Sequence, residues 1–539
     1  MQINCTAYNN YCTMNYIGFK NFRRFQNFEP MEFKGITFLV GKNNAGKSTV
    51  VKAILLVLNY LKSNDFEKFS FANNVLDEAN IVTYGRALNS ISKEINEDLI
   101  SFSFKYKLIK IDLTISGHHD NTSANVQYLT ITCPDKLSFS FNIIERKLTI
   151  KKDEARSVKE KNLGLEKLVT DQKSLRKQIK TYKEDKAGIE YIELLSLEKR
   201  ITSNILSIRS SLKKIEKGSS SEFEIEGDFG NNKTLKEIVS KVVDEAFIKY
   251  KDNFESIQKG IKSNDKFANL RGLKIFNPEN VKTYFNIFKF NVDDLLLFYV
   301  GSCAQKQSAL FSIRDTKNIL AQSIHDYFQL NISPGEEEHD FIIKWMKEFE
   351  VGDNFKLEII SGEAYQFIIS IVNSETHLAD MGMGSVQIMS IILRLACAIK
   401  KTKYTVYETG SYISDDKIID YGPNFEVRKS NIVIMVEEPE LNLHPALQSK
   451  LAYLFHEVYV NFNISFLIET HSEYLIRNTQ LIVKESEYEV SPNVNPFCVI
   501  YFDQESKKWG MNYREDGKFI EEFGSGFFNE TRNIIKQMM

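Results

Sequence analysis

The stretch that most constrains this chain is eight residues long. Gly41-Lys-Asn-Asn-Ala-Gly46-Lys47-Ser48 fits the pattern G-x-x-x-x-G-K-[ST]. It stands between Ile36–Val40, a compact β-branched and aromatic run, and Thr49–Leu61, where apolar residues recur at helical spacing. A strand, a glycine-rich turn and a helix in that order make a phosphate cradle. The glycines let the backbone wrap a phosphate chain, and successive N–H groups at the helix start supply positive potential. Lys47 would reach the outer phosphates and Ser48 a Mg2+ ion. The nucleotide-binding candidates are therefore Gly41, Lys42, Asn43, Asn44, Ala45, Gly46, Lys47, Ser48 and Thr49.

Far downstream the sequence carries what such a cradle needs. Asn431–Val436 reads as a buried strand ending in Glu437 and Glu438, with Pro439 directly after. A carboxylate at the end of a strand beside the cradle can reach the metal through water, and the next can polarise an attacking water. The plainer reading, acids capping a strand end, loses ground because of the upstream loop. Phe466–Ile468 is a second buried run, followed by Glu469-Thr-His471-Ser472, where the histidine can meet a γ-phosphate or hold water. Asp380-Met-Gly-Met-Gly384-Ser385-Val-Gln387 opens a further helix, Ile388–Lys400; its alternative reading is a helix entry kept small for packing.

Between these ends the composition shifts. Residues 1–150 read as an N-terminal lobe, with strands Tyr16–Phe28 and Met31–Val40 about a turn at Glu29–Pro30, then short antiparallel strands to Ile150. From Lys151 to Lys217 the chain is rich in Lys, Glu, Leu and Ile and lacks proline. Ile201, Ile205, Ile208, Leu212 and Ile215 form a heptad seam, and Leu168, Gln172, Leu175, Ile179 and Tyr182 keep a matching register. With a turn at Asp185–Gly188, residues 151–220 are expected to form an antiparallel coiled-coil hairpin of ~40 Å arms; a helical hairpin lying flat on the lobe is the alternative. Residues 221–350 read as mixed and mainly helical, with Glu336–His339 as a solvated acidic turn, and 351–539 return to strand–helix alternation.

The bulk properties of the 539 residues exclude several classes. A net charge of −2 argues against a wholly basic nucleic-acid binder, though a local groove leaves nucleic acid open as a ligand. The 39 Phe and 24 Tyr argue against a largely disordered chain. Six scattered cysteines without a CxxC, no signal-peptide pattern, and no stretch approaching the ~20 apolar residues of a bilayer span lead to a cytoplasmic expectation.

The four motifs, in this order, resemble the ABC-type ATPase heads of the SMC/RecF-like and OLD-like superfamily. Gly41–Thr49 looks like Walker A, Gly382–Gln387 like the signature loop, Val433–Glu438 like Walker B, Leu441–Pro445 like the D-loop, and His471 like the switch histidine. Arg23 and Arg24, in Asn21-Phe-Arg-Arg-Phe25, are similar to the basic turn that touches nucleotide in such heads. The resemblance implies an α/β, ABC-type P-loop ATPase head split by the inserted hairpin and helical region. It implies ATP and Mg2+ as cofactors, Lys47, Glu438 and His471 as catalytic, and Ser48 and Glu437 on the metal. It also implies two heads sandwiching ATP, with Gly384 and Ser385 facing the partner's loop.

Glu437-Glu-Pro-Glu-x-x-Leu443-His-Pro445 and the tail Tyr513-Arg-Glu-Asp-Gly517…Gly524–Glu530 look like prokaryotic anti-phage ATPases. The nearest are those of Septu-type systems, also attached to retrons, with the ATPase of PARIS systems close by. That likeness implies a head-to-head dimer or higher oligomer, a separately encoded HNH-type nuclease, and in retrons a reverse transcriptase with its RNA–DNA. A repair or recombination clamp on DNA is the alternative. The signature departs from LSGGQ, Glu437 stands where many heads have Asp, and no Q-loop glutamine is found by spacing, so slow turnover is expected. No DxD follows His471 and the eight histidines show no H-N-H or zinc pattern, so the chain is not expected to be the nuclease.

Overall fold

The computed structural model describes residues 14–71, 83–94, 98–107, 109–133, 137–152, short stretches between 165 and 209, 223–258, 278–301, 308–315, 318–372, 374–406, 410–414, 417–421, 425–428, 432–486, 495–503, 508–524 and 536–538. Its centre is a six-stranded sheet in the order Leu296–Val300, Ile432–Glu437, Ser465–Glu469, Ile36–Gly41, Phe497–Phe502, Lys508–Met511, parallel except for the last pair. Runs such as Ile-Val-Ile-Met-Val and Ile-Thr-Phe-Leu-Val are apolar at nearly every position because both faces of this sheet are covered.

Each face belongs to a separate core. Leu39, Val433, Met435, Leu467 and Phe502 face the helix Lys47–Lys62 and, beyond it, the large antiparallel sheet. Ile36, Phe38, Val40, Ile434, Val436, Phe466 and Ile468 face the opposite way, onto the helices Met383–Thr402, Pro445–Phe462 and Glu473–Glu485. Met383–Thr402 is long and apolar enough to cross a membrane, contrary to the expectation that no stretch approaches this. Residues Ile388–Ile399 of that helix are buried against the sheet and neighbouring helices, so its apolarity serves the core.

The large sheet has nine strands, with the path Phe223–Asp228, Lys147–Lys152, Leu137–Asn142, Ser123–Thr132, Ile109–Ser116, Leu99–Tyr106, Met14–Phe22, Phe25–Glu32, and Lys68–Ser70 paired to Ser123–Thr132. Strict alternation of buried and half-buried residues along Leu99–Tyr106 and Ile109–Ser116 marks one face packed and one open. The expected turn at Glu29–Pro30 is corrected. The chain reverses at Arg23–Arg24, where Arg23 has φ +53°, and Glu29 and Pro30 lie inside the strand Phe25–Glu32. That strand ends the sheet's path, and an edge is where a residue without an N–H is tolerated.

The stretch expected to be mainly helical also supplies head strands: Phe223–Asp228 extends the nine-stranded sheet and Leu296–Val300 pairs with Ile432–Glu437. Glu336–His339 is not a free turn. Glu338 is fully buried and pairs with Lys403 at 2.7 Å, and the segment opens the helix Glu337–Glu348. Of the expected hairpin, described pieces touch each other: Gln172 Nε2 donates to Thr202 Oγ1 at 2.6 Å, and Arg176 bonds Glu198 at 2.7 Å. Going forward on one piece thus goes backward on the other. Leu175 and Ile205 are buried there, while the expected turn Asp185–Gly188 lies outside the described residues.

Candidate active site

The carboxyl ends of the parallel strands converge on the loop Gly41–Gly46. Gly41 (φ +133°) and Gly46 (φ +105°) occupy backbone conformations closed to side chains, and a Cβ on Gly41 would collide with the carbonyl oxygen of Phe502. The helix Lys47–Lys62 follows without a side-chain cap and with no acid in its first turn, leaving its first N–H groups facing the loop. Lys47 is buried, and its Nζ donates to the carbonyls of Gly41 (3.1 Å) and Lys42 (2.9 Å). Burial lowers its pKa; the carboxylates of Glu469, Glu438 and Glu440 push back.

Sheet register sets the acids. Glu437 and Glu469 are Cα partners on adjacent parallel strands, and each shares a face with the residue two before it, Met435 and Leu467. Both therefore project toward the helix that begins with Lys47 and Ser48. Ser48 Oγ donates to Glu469 Oε1 at 3.0 Å, and Lys47 Nζ lies 3.9 Å from the same oxygen. Glu437 accepts from Tyr299, faces Lys52, and its pKa is raised, burial being the main cause. Glu469 is pushed to about 7 by burial and by the Glu437 charge, against the pull of Lys47 and Ser48.

Past the strand end the alternation breaks. Glu438 takes φ +48° and its N–H donates to the Glu469 carbonyl at 2.8 Å, which turns its side chain toward His471; Nε2 of the imidazole is 4.0 Å from Glu438 Oε1. The His471 N–H is anchored on Glu440 Oε1 at 2.6 Å. Burial, helped by Lys47, lowers the imidazole pKa to about 4, so the ring is neutral at neutral pH and carries one donor and one acceptor. Ser472 caps the next helix, accepting from Leu475 N–H, so the histidine sits on a fixed strand–helix corner.

Of the remaining expected residues, Arg24 lies against the loop, its Cδ 2.9 Å from where a Gly46 Cβ would be, while Arg23 stands by Arg86, and burial together with that like charge lowers its pKa. Gly384 packs against the turn after Glu438, where a Cβ on it would sit 2.5 Å from the Asn442 carbonyl oxygen, and Ser385 follows it in the first turn of the helix Met383–Thr402. Sequence reasoning gave no role to Glu469, Glu440, Lys52 or Tyr299. Glu469 bore the same signal as Glu437, an acid closing a buried strand. The other three enter through space alone.

The arrangement pairs a glycine-rich, cationic cradle with two buried carboxyl groups beside Ser48 and an acid–imidazole pair past the strand end. The residues fit a divalent cation: Oε1 of Glu437 and Oε2 of Glu469 are buried oxygens without hydrogen-bond partners among the described residues, beside the Ser48 hydroxyl. Such hard oxygen donors suit Mg2+.

No curated relative matches the chain. Among solved structures it is similar to an Smc head domain with an extended coiled coil bound to the C-terminal domain of ScpA, from Pyrococcus furiosus, at 10% identity over 97% of this chain and 99% of that one, with a TM-score of 0.32. It is also similar to an Smc head bound to the C-winged helix domain of ScpA (9% identity, 93% and 98% covered, TM-score 0.36) and to one with a coiled coil and joint from Pyrococcus yayanosii (10%, 94% and 98%, TM-score 0.34). Likenesses this loose add no weight to the assignment. The family described as AAA ATPase domain matches residues 14–476, which spans the loop, both acid-ended strands and His471. This chain belongs to that family and is an ATPase.

Proposed function

We propose that this ATPase is the nucleotide-driven switch of a prokaryotic anti-phage defence system, in which two copies close on ATP and Mg2+ and so control a separately encoded HNH-type nuclease. Lys47 holds the β- and γ-phosphates and Ser48 the metal, with Glu437 behind it. Glu438 takes the proton of the attacking water, and neutral His471 holds the γ-phosphate or that water. Gly384 and Ser385 meet the nucleotide of the second copy. Arg23 and Arg24 steady the phosphates from the side.

One observation carries the switch. The described start of the tail, Tyr513–Gly517, part of the likeness to defence ATPases, packs on the head. Tyr513 Oη and Thr479 Oγ1 are 2.7 Å apart, and Gly517 lies against the carbonyl of Gln480, both on the helix whose cap, Ser472, follows His471. That packing supports a reading in which a change at the γ-phosphate is passed along the helix Glu473–Glu485 to the tail.

The test is capture of the full chain with its gene neighbours, with and without ATP, in wild type, Lys47→Ala and Glu438→Gln. Retention of a small nuclease that changes with nucleotide state upholds the reading. A chain that comes out alone and binds duplex DNA only with ATP replaces it with a DNA clamp.

A further inference from the structure

The proposed function assigns no step to Glu469, the acid closing the middle strand of the site. Glu469 lies between the loop strand and the Glu437 strand, paired with Leu39 on one side and Glu437 on the other. Neighbouring strands lie roughly 4.8 Å apart and paired residues share a face, so two carboxylates stand side by side and aim at the start of the loop helix. Glu469 is 6% exposed, its Oε1 accepts from Ser48 Oγ at 3.0 Å, and its Oε2 is buried without a hydrogen-bond partner among the described residues. The adjacent Lys47 ammonium is already engaged with two loop carbonyls.

Two carboxyl groups this close and this dry, each with one oxygen lacking a hydrogen-bond partner among the described residues, offer hard oxygen donors to a divalent cation. We propose that Glu469 is a second acidic ligand of the nucleotide-bound divalent cation, acting with Ser48 and Glu437. Mg2+ is commonly held by one or two carboxylates together with phosphate oxygens and waters. Among the described residues no three His, Cys, Asp or Glu side chains make a metal-holding group alone. Phosphate oxygens and waters would complete the cation's shell beside Ser48, Glu437 and Glu469.

This inference rests on the ATPase assignment and not on the defence role. The probe is Mn2+, titrated by its paramagnetic resonance signal into the full-length protein loaded with a non-hydrolysable ATP analogue. Glu469→Gln keeps an acceptor for Ser48 and removes only the charge. It should weaken Mn2+ binding roughly tenfold to hundredfold, as should Glu437→Gln, while analogue affinity in EDTA stays equal or rises. Glu469→Asp, which retracts the carboxylate but keeps its charge, should fall between wild type and Glu469→Gln, and gives the same reading if the glutamine variant melts early. Mn2+ affinity within twofold of wild type in Glu469→Gln, alongside a large loss in Glu437→Gln, would overturn the proposal and leave Glu469 as a structural acceptor for Ser48. Neither result depends on a nuclease, so failure here is separate from failure of the switch reading.

Discussion

The two faces of the central sheet are made by alternate residues of the same strands. On one, Ile434, Val436, Phe466 and Ile468 end in dry contact with three helices. On the other, Val433, Met435 and Leu467 give way at the last position to Glu437 and Glu469, beside Lys47 and Ser48. The apolar face fixes where the strand ends lie, and the opposite face turns that placement into chemistry. A substitution on the first face should cost stability and leave chemistry per folded molecule alone; one on the second should do the reverse.

The sharpest break is expected at Glu438. Glu438→Gln should lower ATP hydrolysis by roughly 10²- to 10⁴-fold with nucleotide binding and melting temperature retained, read by phosphate release and calorimetry. Equal loss of binding and hydrolysis would mean the carboxylate organises the loop instead. Gly41→Ala comes next. Its methyl group must enter the Phe502 carbonyl at a backbone angle unsuited to a side chain, so nucleotide binding should vanish, and the loop strand should also lose its fit to Phe497–Phe502. An alanine variant that binds ATP normally would show that the loop has another way to close.

On the dry face, Ile434→Ala should cost about 2–5 kcal/mol of stability, measured by denaturant unfolding, with hydrolysis per folded molecule unchanged. The smallest effect is pH-dependent. His456 is half-buried beside Phe497, and desolvation there lowers its pKa to about 4. A depressed basic group contributes its full stability above about 6.5, and that contribution is lost as pH falls through about 4. His456→Phe should therefore flatten the acid limb of the stability curve between pH 6.5 and 4. A limb unchanged by that substitution places acid sensitivity elsewhere, for example at His471.

How much of this was legible in the sequence follows the distance over which each signal acts. The loop, its flanking strand and helix, and the acid-ended strands could be read because each is a local pattern. Thr49–Leu61, read as a helix, differs from the observed Lys47–Lys62 by a residue or two at each end. The strand reading Tyr16–Phe28 ran through Arg23–Arg24 because no glycine or proline marks the reversal, and only the family resemblance gave it as a turn; Asn21 and Arg23 take positive φ there. Pro30 misled in the other direction, since its meaning depended on whether the strand had a second neighbour. The pairing of Glu437 with Glu469, and the approach of Tyr299 and Lys52, depend on strand order. A linear reading does not contain that order.

Strand order also sets a schedule. Ile36–Gly41 is flanked by Ser465–Glu469 and Phe497–Phe502, and the hydroxyl of Ser48 meets a carboxylate 421 positions further along the chain. At ~5–20 residues per second of synthesis, the loop strand waits roughly 20–80 s with both edges bare before its neighbours leave the ribosome. The growing chain is thus unable to hold ATP through its acids, and it carries two open β-edges for that interval. Chaperone demand should fall on the loop strand during translation, and enzyme competence should arrive abruptly once Phe497–Phe502 has emerged.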